Sequence, residues 1–433
     1  MQEPRRLPRR KRLFFQFIIV AATYGLIELS ALVYLNFTLP ELQTERSRVA
    51  GLNVTDARGN DYALMIHPYI GAVIQPEAES ERRAAGKLDF TEYGFFDDAT
   101  PIRKRSPGKV IVALTGGSVA RQLGTTATPV LERELSRIGE FQGRSFEFVR
   151  LAIDGQKQPQ QLMALNYLLT LGAEFDVLVN LDGLNEISLP GMDNVPLGIA
   201  AAYPRKWNAL TASTGSVEVM RAVGLATIAC TTRRDCAQWF DSAPLRYSPV
   251  ATLIWKVRNA RLEQSILDQL REIDQLSQHG LTYCSSGPPE TFDSEERLLE
   301  YCADVWARSS ILLHGACRAS QIRYFHFLQP NQYLAGSKPM EPAEIHKALN
   351  EKSPFARPVI AGYPIMQAKA AQLVEADVVF TDLTQVFSGH KEPIYRDDCC
   401  HVTEDGDEII ATAIAERIKA WYAEHADAGP PGP

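Results

Sequence analysis

Five short apolar runs separated by helix-like segments constrain the fold of this chain more than any other feature. Each run is rich in β-branched or aromatic residues, as expected for a strand buried on both faces. The runs cover residues 110–114, 146–151, 177–181, 324–328 and 378–380. Because strands that alternate with helices form βαβ units, the pattern predicts a five-stranded parallel sheet in a three-layer α/β/α, flavodoxin-like arrangement.

The segments between these runs carry helical patterns. Thr128 precedes a proline, and proline is common at the first position of a helix. Another helix is predicted to begin at Thr403, because acidic residues follow it and then apolar residues at helical spacing. Further helices are predicted over residues 160–171, 253–276 and 293–320.

The stretch 190–320 is much longer than one crossover between strands requires. It is rich in proline and tryptophan at its start. We therefore expect a largely helical insertion that caps or borders a ligand-binding cleft.

The N-terminus predicts a membrane anchor. Six basic residues within residues 1–12 precede an almost uninterrupted apolar stretch over residues 13–37. A helix of that length measures about 37 Å, which exceeds a hydrocarbon core of about 30 Å. The positive-inside rule then predicts a single-pass protein of the cell inner membrane, with residues 1–12 in the cytoplasm and the rest in the periplasm.

A cleaved signal peptide is the alternative, but the apolar stretch is longer than a usual signal core and lacks a convincing cleavage site after it. Residues 38–64 are predicted to form a stalk, and residues 65–425 the main domain. Residues 426–433 have the composition of a disordered tail. Glu28, inside the apolar stretch, is expected either to contact another helix or to lean towards the outer interface.

Charge and motif content exclude several function classes. The net charge is −7, and outside the first dozen residues the sequence contains no basic stripe, which argues against a nucleic-acid partner. Walker and dinucleotide-binding glycine patterns are also missing from the sequence, so no nucleotide cofactor is expected.

The chain contains seven cysteines. Outside the cytoplasm they can form disulfides, and the spacing suggests local bridges between Cys230 and Cys236 and between Cys284 and Cys302. Connectivity stays open, since spacing alone does not determine it.

Polar clusters follow four of the predicted strands, where ligand sites collect in parallel sheets. Ser118 follows the first strand as a candidate nucleophile, and His401 follows the last as its base. Asp398, three residues before His401, is predicted to orient the imidazole; Asp397 is the competing choice. Gly155, Asn185 and Ser118 itself are predicted to supply the N–H groups of an oxyanion hole.

Each of these residues has a purely structural alternative. Ser118 could cap a helix, Gly155 could serve a turn, Asn185 could brace its own loop, and His401 could be a hydrogen-bonded structural histidine. The Asp-Asp-Cys-Cys-His segment also offers metal ligands. A zinc site is disfavoured, because adjacent cysteines rarely bind one ion and a matching C-x-x-C pair is missing from the sequence. No metal or other cofactor is therefore expected.

These segments resemble the SGNH (GDSL-like) hydrolase superfamily, in particular a membrane-anchored bacterial subgroup with Gly-Gly-Ser in place of Gly-Asp-Ser. The resemblance covers roughly residues 65–420, and is weak through 190–310. Glu186 and Gly117 depart from the usual family residues, which are aspartates at both positions. The four matching blocks are Gly116-Gly117-Ser118, Gly155, Gly183-Leu184-Asn185-Glu186 and Asp398 to His401.

The resemblance implies esterase-type chemistry through a Ser-His-Asp triad, and it leaves the substrate open. Because of the predicted location, the expected substrates are acylated carbohydrates or lipids of the cell envelope, and acetyl esters are the first choice. Transfer of the acyl group to a polysaccharide by the same serine is an alternative. A catalytically silent binding or assembly module that retains the fold is another. The oligomeric state is not indicated by the sequence.

Overall fold

The computed structural model describes residues 8–39, 41–51, 64–75, 90–211, 217–279 and 283–425. The first seven residues, residues 40 and 52–63 of the predicted stalk, and the predicted disordered tail lie outside these ranges. The chain divides into two compact units. One contains Met1–Ala63 and Ser216–His279, and the other contains Leu64–Gly215 and Gly280–Pro433.

The strands, in chain order, are β1 (Leu64–His67), β2 (Gly71–Ile74), β3 (Lys109–Gly116), β4 (Ser145–Arg150), β5 (Val177–Asp182), β6 (Arg323–Leu328) and β7 (Val379–Asp382). The α-helices are α1 (Arg9–Thr38), α2 (Leu42–Ala50), α3 (Ser118–Thr126), α4 (Thr128–Leu135), α5 (Gln160–Thr170), α6 (Leu184–Leu189), α7 (Trp207–Leu210), α8 (Val217–Asp241), α9 (Pro249–His279), α10 (Tyr283–Ser286), α11 (Glu295–Ala319), α12 (Pro342–Ala348), α13 (Ala356–Glu375) and α14 (Glu404–Glu424). Short helical turns cover Gly139–Phe141, Pro190–Asn194, Val195–Leu197 and Leu245–Tyr247.

The larger unit is built on a five-stranded parallel sheet with strand order β4-β3-β5-β6-β7. The predicted α/β class and the five-stranded parallel sheet are confirmed, and each predicted run overlaps one of these strands and extends past it by at most one residue. The central strands are the most apolar because they are covered on both sides: residues 110–114 of β3 are at most 1% exposed. At the edge, β7 is only partly buried.

The C-terminal helix α14 begins where the sequence predicts. Thr403 caps it, because its side-chain oxygen accepts a hydrogen bond from the backbone N–H of Gly406 at 3.3 Å. Ile410, Ile414 and Ile418 recur four residues apart and are fully buried. Each buried isoleucine side chain stabilises the fold by about 1.5–3 kcal/mol. This helix packs against α3 and α4, and it therefore lies beside the segment that carries Ser118.

The segment that precedes the sheet in the chain contains two short strands. It forms an antiparallel hairpin of β1 and β2, which pair from Leu64 with Ile74 to His67 with Gly71. The ring nitrogen Nδ1 of His67 accepts a hydrogen bond from the backbone N–H of Ile70 at 3.1 Å, and this bond closes the turn.

The predicted insertion is divided between the two units. Its central part, helices α8 and α9, packs with α1 and α2 around Leu35, Leu42, Phe240 and Trp255. The predicted helix over residues 253–276 lies within α9. The role of the insertion as a cap stays a prediction.

The predicted local disulfides are absent from the described residues. Cys236 and Cys302 are free thiols. Cys230 and Cys236 lie six residues apart in α8, which places them on different sides of one helix. Cys302 lies inside the core in α11, and burial raises the pKa of its thiol to about 12. Short sequence spacing therefore misleads, because it does not report side-chain direction.

Helix α1 is long and apolar enough to cross a membrane. Signal sequences share that length and composition, so the helix by itself shows neither an anchor nor its orientation.

Candidate active site

A sharp turn at the end of β3 presents Ser118. Gly116 has a φ of +144°, and a Cβ atom added there would lie 2.1 Å from the carbonyl oxygen of Leu181. Only glycine therefore allows β3 and β5 to approach so closely at this point. Ser118 is the first residue of α3, so its backbone N–H is one of those left without a partner inside the helix.

The side chain of Ser118 contacts His401 although 283 residues separate them in sequence. The ring nitrogen Nε2 of His401 lies 2.9 Å from the Oγ atom of Ser118. The other ring nitrogen, Nδ1, lies 2.5 Å from Oδ2 of Asp397. Both Ser118 and His401 are partly exposed, so a molecule from solvent can reach the pair.

The partner of His401 is Asp397, and the prediction that Asp398 orients the ring is wrong. The segment 397–401 curls around the Asp397 carboxylate, whose Oδ1 accepts hydrogen bonds from the backbone N–H groups of Cys399, Cys400 and His401 at 3.0, 3.2 and 3.3 Å. Asp398 points elsewhere, and its Oδ2 accepts from Asn350 Nδ2 at 3.1 Å. The prediction assumed a regular turn, which this segment does not form.

The hydrogen bonds keep Asp397 ionised. Burial alone would raise the pKa of this carboxyl, but the hydrogen bond and charge of His401 and the backbone N–H groups of Cys399 and His401 lower the pKa to about 2. The ionised carboxylate of Asp397 therefore stabilises the folded state. This contribution is fully present above about pH 4, the usual pKa of an aspartate, and is lost as the pH falls through about 2. Asp397 consequently carries its negative charge across the neutral range.

The loop after β4 and the start of α6 meet beside Ser118. The side-chain amide Nδ2 of Asn185 donates a hydrogen bond to the carbonyl oxygen of Gln156 at 2.7 Å. A Cβ atom added at Gly117 would lie 2.1 Å from the same nitrogen, so any side chain at position 117 would displace Asn185. Asn185 is partly exposed and has a second amide hydrogen, which can point to a ligand.

Gly155 lies in the loop after β4 with a φ of +73°, which favours glycine. It is partly exposed, and a Cβ atom added there would lie 3.2 Å from the Cδ atom of Arg205. The glycine therefore leaves its backbone accessible at the same edge of the sheet. Its neighbour Gln156 accepts the hydrogen bond of Asn185, which ties this loop to α6.

Glu186 holds the start of α6 in place. Its Oε2 accepts from the backbone N–H of Gly183 at 2.8 Å, and its Oε1 accepts from Gln158 N and Gln161 Nε2 at 3.1 Å each. Burial, and then the charge of Asp182, raise the pKa of Glu186 to about 8. These bonds connect the loops after β4 and β5 and so position Asn185.

A second Asp-His pair lies buried below these loops, and sequence reasoning missed it. Oδ1 of Asp182 lies 2.8 Å from Nε2 of His326 and accepts a hydrogen bond from Trp306 Nε1 at 2.7 Å. On the other side of the ring, Nδ1 of His326 lies 2.8 Å from Ser310 Oγ. Burial alone would raise the pKa of Asp182, but the charge and hydrogen bond of His326 lower it. The two residues are 144 positions apart, and only the pairing of β5 with β6 brings them together.

Replacing His326 with leucine is expected to lower the free energy of unfolding by about 3–5 kcal/mol, because it leaves the buried Asp182 charge without its partner. The matched control is His346→Leu, at an exposed histidine of α12, with an expected change below about 0.5 kcal/mol. Urea unfolding of the full chain in detergent, followed by tryptophan fluorescence, measures both. Equal losses for the two variants would contradict the structural role assigned to His326.

Metal-binding groups also occur at this site. One ligand atom each of Cys399, Cys400 and His401 lie within 4.8 Å of one another. Both ring nitrogens of His401 already contact Ser118 and Asp397, however. The hydrogen bond with the adjacent thiol of Cys399, and then burial, also raise the pKa of Cys400, which disfavours the thiolate that a metal ion would need. The geometry therefore favours the hydrogen-bonded serine-histidine-aspartate chain over a metal centre.

Comparison with protein-family models finds no match for this chain. A comparison with curated proteins likewise finds no significant similarity.

Proposed function

We propose that this protein is a membrane-anchored extracytoplasmic serine esterase of the SGNH type. The observation that carries the proposal is the continuous hydrogen-bonded chain from Ser118 Oγ through His401 to Asp397, with distances of 2.9 and 2.5 Å. A nucleophile, a base and an orienting carboxylate in this geometry are the parts that acyl transfer requires.

In the proposed reaction Ser118 Oγ attacks the carbonyl carbon of an ester, and His401 Nε2 takes the serine proton. His401 then returns a proton to the departing alcohol, which leaves an acyl group on Ser118. A water molecule, activated by the same nitrogen, attacks this acyl-enzyme and releases the acid. Asp397 holds Nδ1 of His401 and stabilises the imidazolium that forms in both steps.

The negative charge on the carbonyl oxygen needs donors that are already in place. In the proposal these are the backbone N–H groups of Ser118 and Gly155 and the side-chain amide of Asn185. The positive end of α3 adds to the stabilisation of this charge. The close packing of Gly117 and Gln156 against Asn185 supports this assignment, because it restricts the position of the amide.

The superfamily assignment is part of the proposal. It is supported by the order of the four blocks along the chain and by the parallel sheet at whose edge they meet. The departures from the family pattern at positions 117 and 186 are compatible with it. Glycine at position 117 leaves room for Asn185, and Glu186 reaches Gly183 N to close the turn. A third departure is that His401 pairs with Asp397, four residues before it, and not with Asp398.

The proposed substrates are O-acyl esters, with acetyl esters foremost, of envelope carbohydrate or lipid. This class follows from the proposed anchor, since an apolar stretch of α1 that follows six basic residues would place the sheet unit outside the cytoplasm. Hydrolysis of acetylated sugars, compared with esters of longer acids, tests the class. Formation of an acylated sugar in place of free acid would instead identify the protein as an acyltransferase.

Labelling with a fluorophosphonate tests the chemistry itself. The wild-type chain is expected to become labelled because the probe forms a bond with an activated serine, and Ser118→Ala is expected to lose the label completely. The control variant Ser136→Ala, which removes an exposed serine hydroxyl from the same unit, should label like the wild type. A folded wild-type protein that stays unlabelled would favour the silent binding or assembly module.

A further inference from the structure

In the unit formed by the N-terminal helices and the α8–α9 pair, an acidic residue lies within the apolar stretch of α1 and contacts α9. Glu28, two thirds of the way along α1, accepts hydrogen bonds from Ser248 Oγ at 2.6 Å and from the backbone N–H of Val250 at 3.2 Å. These two donors lie at the start of α9. The turn that joins α8 to α9 therefore lies at the level of residue 28, and the end of α1 lies ten residues further on.

The exposure of α1 changes at the same level. Residues 13–27 are exposed on every side, as in a helix surrounded by lipid. From Glu28 onward one face is covered, since Ala31 and Leu35 are 7% and 4% exposed. Leu35 packs in one core cluster with Ala251 and Trp255 of α9, and Ala31 lies one helical turn before Leu35 on the same face of α1.

The uncovered apolar part of α1, which follows the basic residues of its first turn, is too short to span a bilayer. Fifteen residues, 13–27, measure about 22 Å at 1.5 Å per residue, and the hydrocarbon core is about 30 Å thick. The last several ångströms of the core must then surround the part of α1 that begins at Glu28. The α8–α9 turn packs beside α1 at this depth.

From these lengths we infer that the α8–α9 turn, residues 239–254, lies in the outer boundary layer of the same membrane that α1 crosses. The partner of this surface is the lipid bilayer. This inference rests on the proposed membrane anchor and adds a second, non-spanning contact to it.

The side chains of the turn suit that environment. Trp239 and Tyr247 are 59% and 75% exposed, and these two residue types prefer the interface between hydrocarbon and head groups. The guanidinium of Arg246 lies over the Tyr247 ring, 5.7 Å from its centre. Ile254 adds a third exposed apolar side chain, 51% exposed.

The charged side chains Arg46 and Glu28 have ionic or hydrogen-bonding partners in this unit. Arg46, which is 2% exposed, bonds to Asp241 Oδ1 at 3.3 Å and to Thr252 Oγ1 at 2.6 Å. Glu28 also accepts a hydrogen bond from the hydroxyl of Tyr24 at 2.6 Å. Pairing of this kind lowers the cost of placing charges near the hydrocarbon.

Further along α9, away from the turn, the surface becomes basic. The first charged residues of this helix are Lys256, Arg258 and Arg261, and the first acidic one is Glu263. Arg258 and Arg261 are exposed. Their long side chains can reach back to the phosphates of the head groups, and this charge complements an anionic membrane surface.

Depth measurements by electron paramagnetic resonance test the inference on the full chain in lipid nanodiscs. A nitroxide is attached to p-acetylphenylalanine at position 239 or 247, which leaves the native cysteines untouched. Position 17, exposed on α1, reports the bilayer, and position 267, exposed on α9 about 27 Å beyond its start, reports water. Relaxation by oxygen, which concentrates in lipid, is compared with relaxation by a water-soluble nickel complex.

Labels at 239 and 247 are expected to respond more to oxygen than to nickel, as at position 17, whereas the label at 267 shows the reverse. If 239 and 247 behave like 267 while 17 reports lipid, the inference is overturned and the anchor stands. If position 17 also reports water, the anchor itself fails and the inference with it. The labelled positions are exposed, so the label displaces little packing, and an unchanged far-UV circular dichroism spectrum checks that each variant is folded.

Discussion

Asp397→Asn is expected to lower kcat for ester hydrolysis by about 10⁴-fold, while Asp398→Asn leaves it close to the wild-type value. In the first variant the asparagine oxygen can still accept the three backbone N–H groups, so the loop keeps its shape. The asparagine NH₂ group, however, then faces His401 Nδ1 and favours the tautomer whose Nε2 carries the proton. That nitrogen can no longer take the proton of Ser118.

Asp398→Asn is the matched control because it makes the same chemical change one residue away. Its side chain bonds to Asn350, and an asparagine oxygen can accept that bond as well. Steady-state kinetics with a chromogenic acetyl ester measures both variants. A large loss for Asp398→Asn with little loss for Asp397→Asn would reverse the assignment that the structure makes.

Asn185→Ala is expected to lower kcat by about 10²–10³-fold, with a small change in KM. The amide is assigned to a charge that develops only in the transition state, so its loss should lower kcat and kcat/KM together. The substitution also removes the hydrogen bond to Gln156, which fixes the position of the loop.

That structural contact makes a second measurement necessary. Thermal unfolding of the variant, compared with the wild type, separates a damaged loop from a lost donor. A rise in KM at unchanged kcat would contradict the role of Asn185 as an oxyanion donor, because it would indicate contact with the ground-state substrate instead.

Local patterns identify most of the sheet because burial leaves a direct trace in composition. A strand covered on both faces must be apolar along its length, and the run at residues 110–114 has this property. The cap at Thr403 and the repeat of Ile410, Ile414 and Ile418 likewise depend on neighbours within a few positions. The hairpin of β1 and β2 escapes such reasoning, because its turn depends on His67, whose role as an acceptor for Ile70 N is not visible in a periodicity.

In the candidate site, too, some residues can be identified from the sequence and others cannot. Ser118 and His401 can be selected from the sequence, since the ends of parallel strands meet at one edge of a sheet. The choice between Asp397 and Asp398 cannot be made in this way. It depends on the direction of each side chain in an irregular loop, where the backbone N–H groups of Cys399, Cys400 and His401 all turn towards Asp397.

The sequence by itself determined the class of the fold, the order of its strands along the chain and the apolar N-terminal helix, because each is encoded by spacing within a short segment. Only the tertiary structure decided that Asp397 faces His401, that Asp182 is paired with His326, and that Glu28 meets the start of α9. These contacts join side chains whose partners are distant in sequence or whose directions are set by loop geometry. The physical reason is that hydrogen bonds depend on position and orientation in space, whereas hydrophobic periodicity depends only on the local period of the chain.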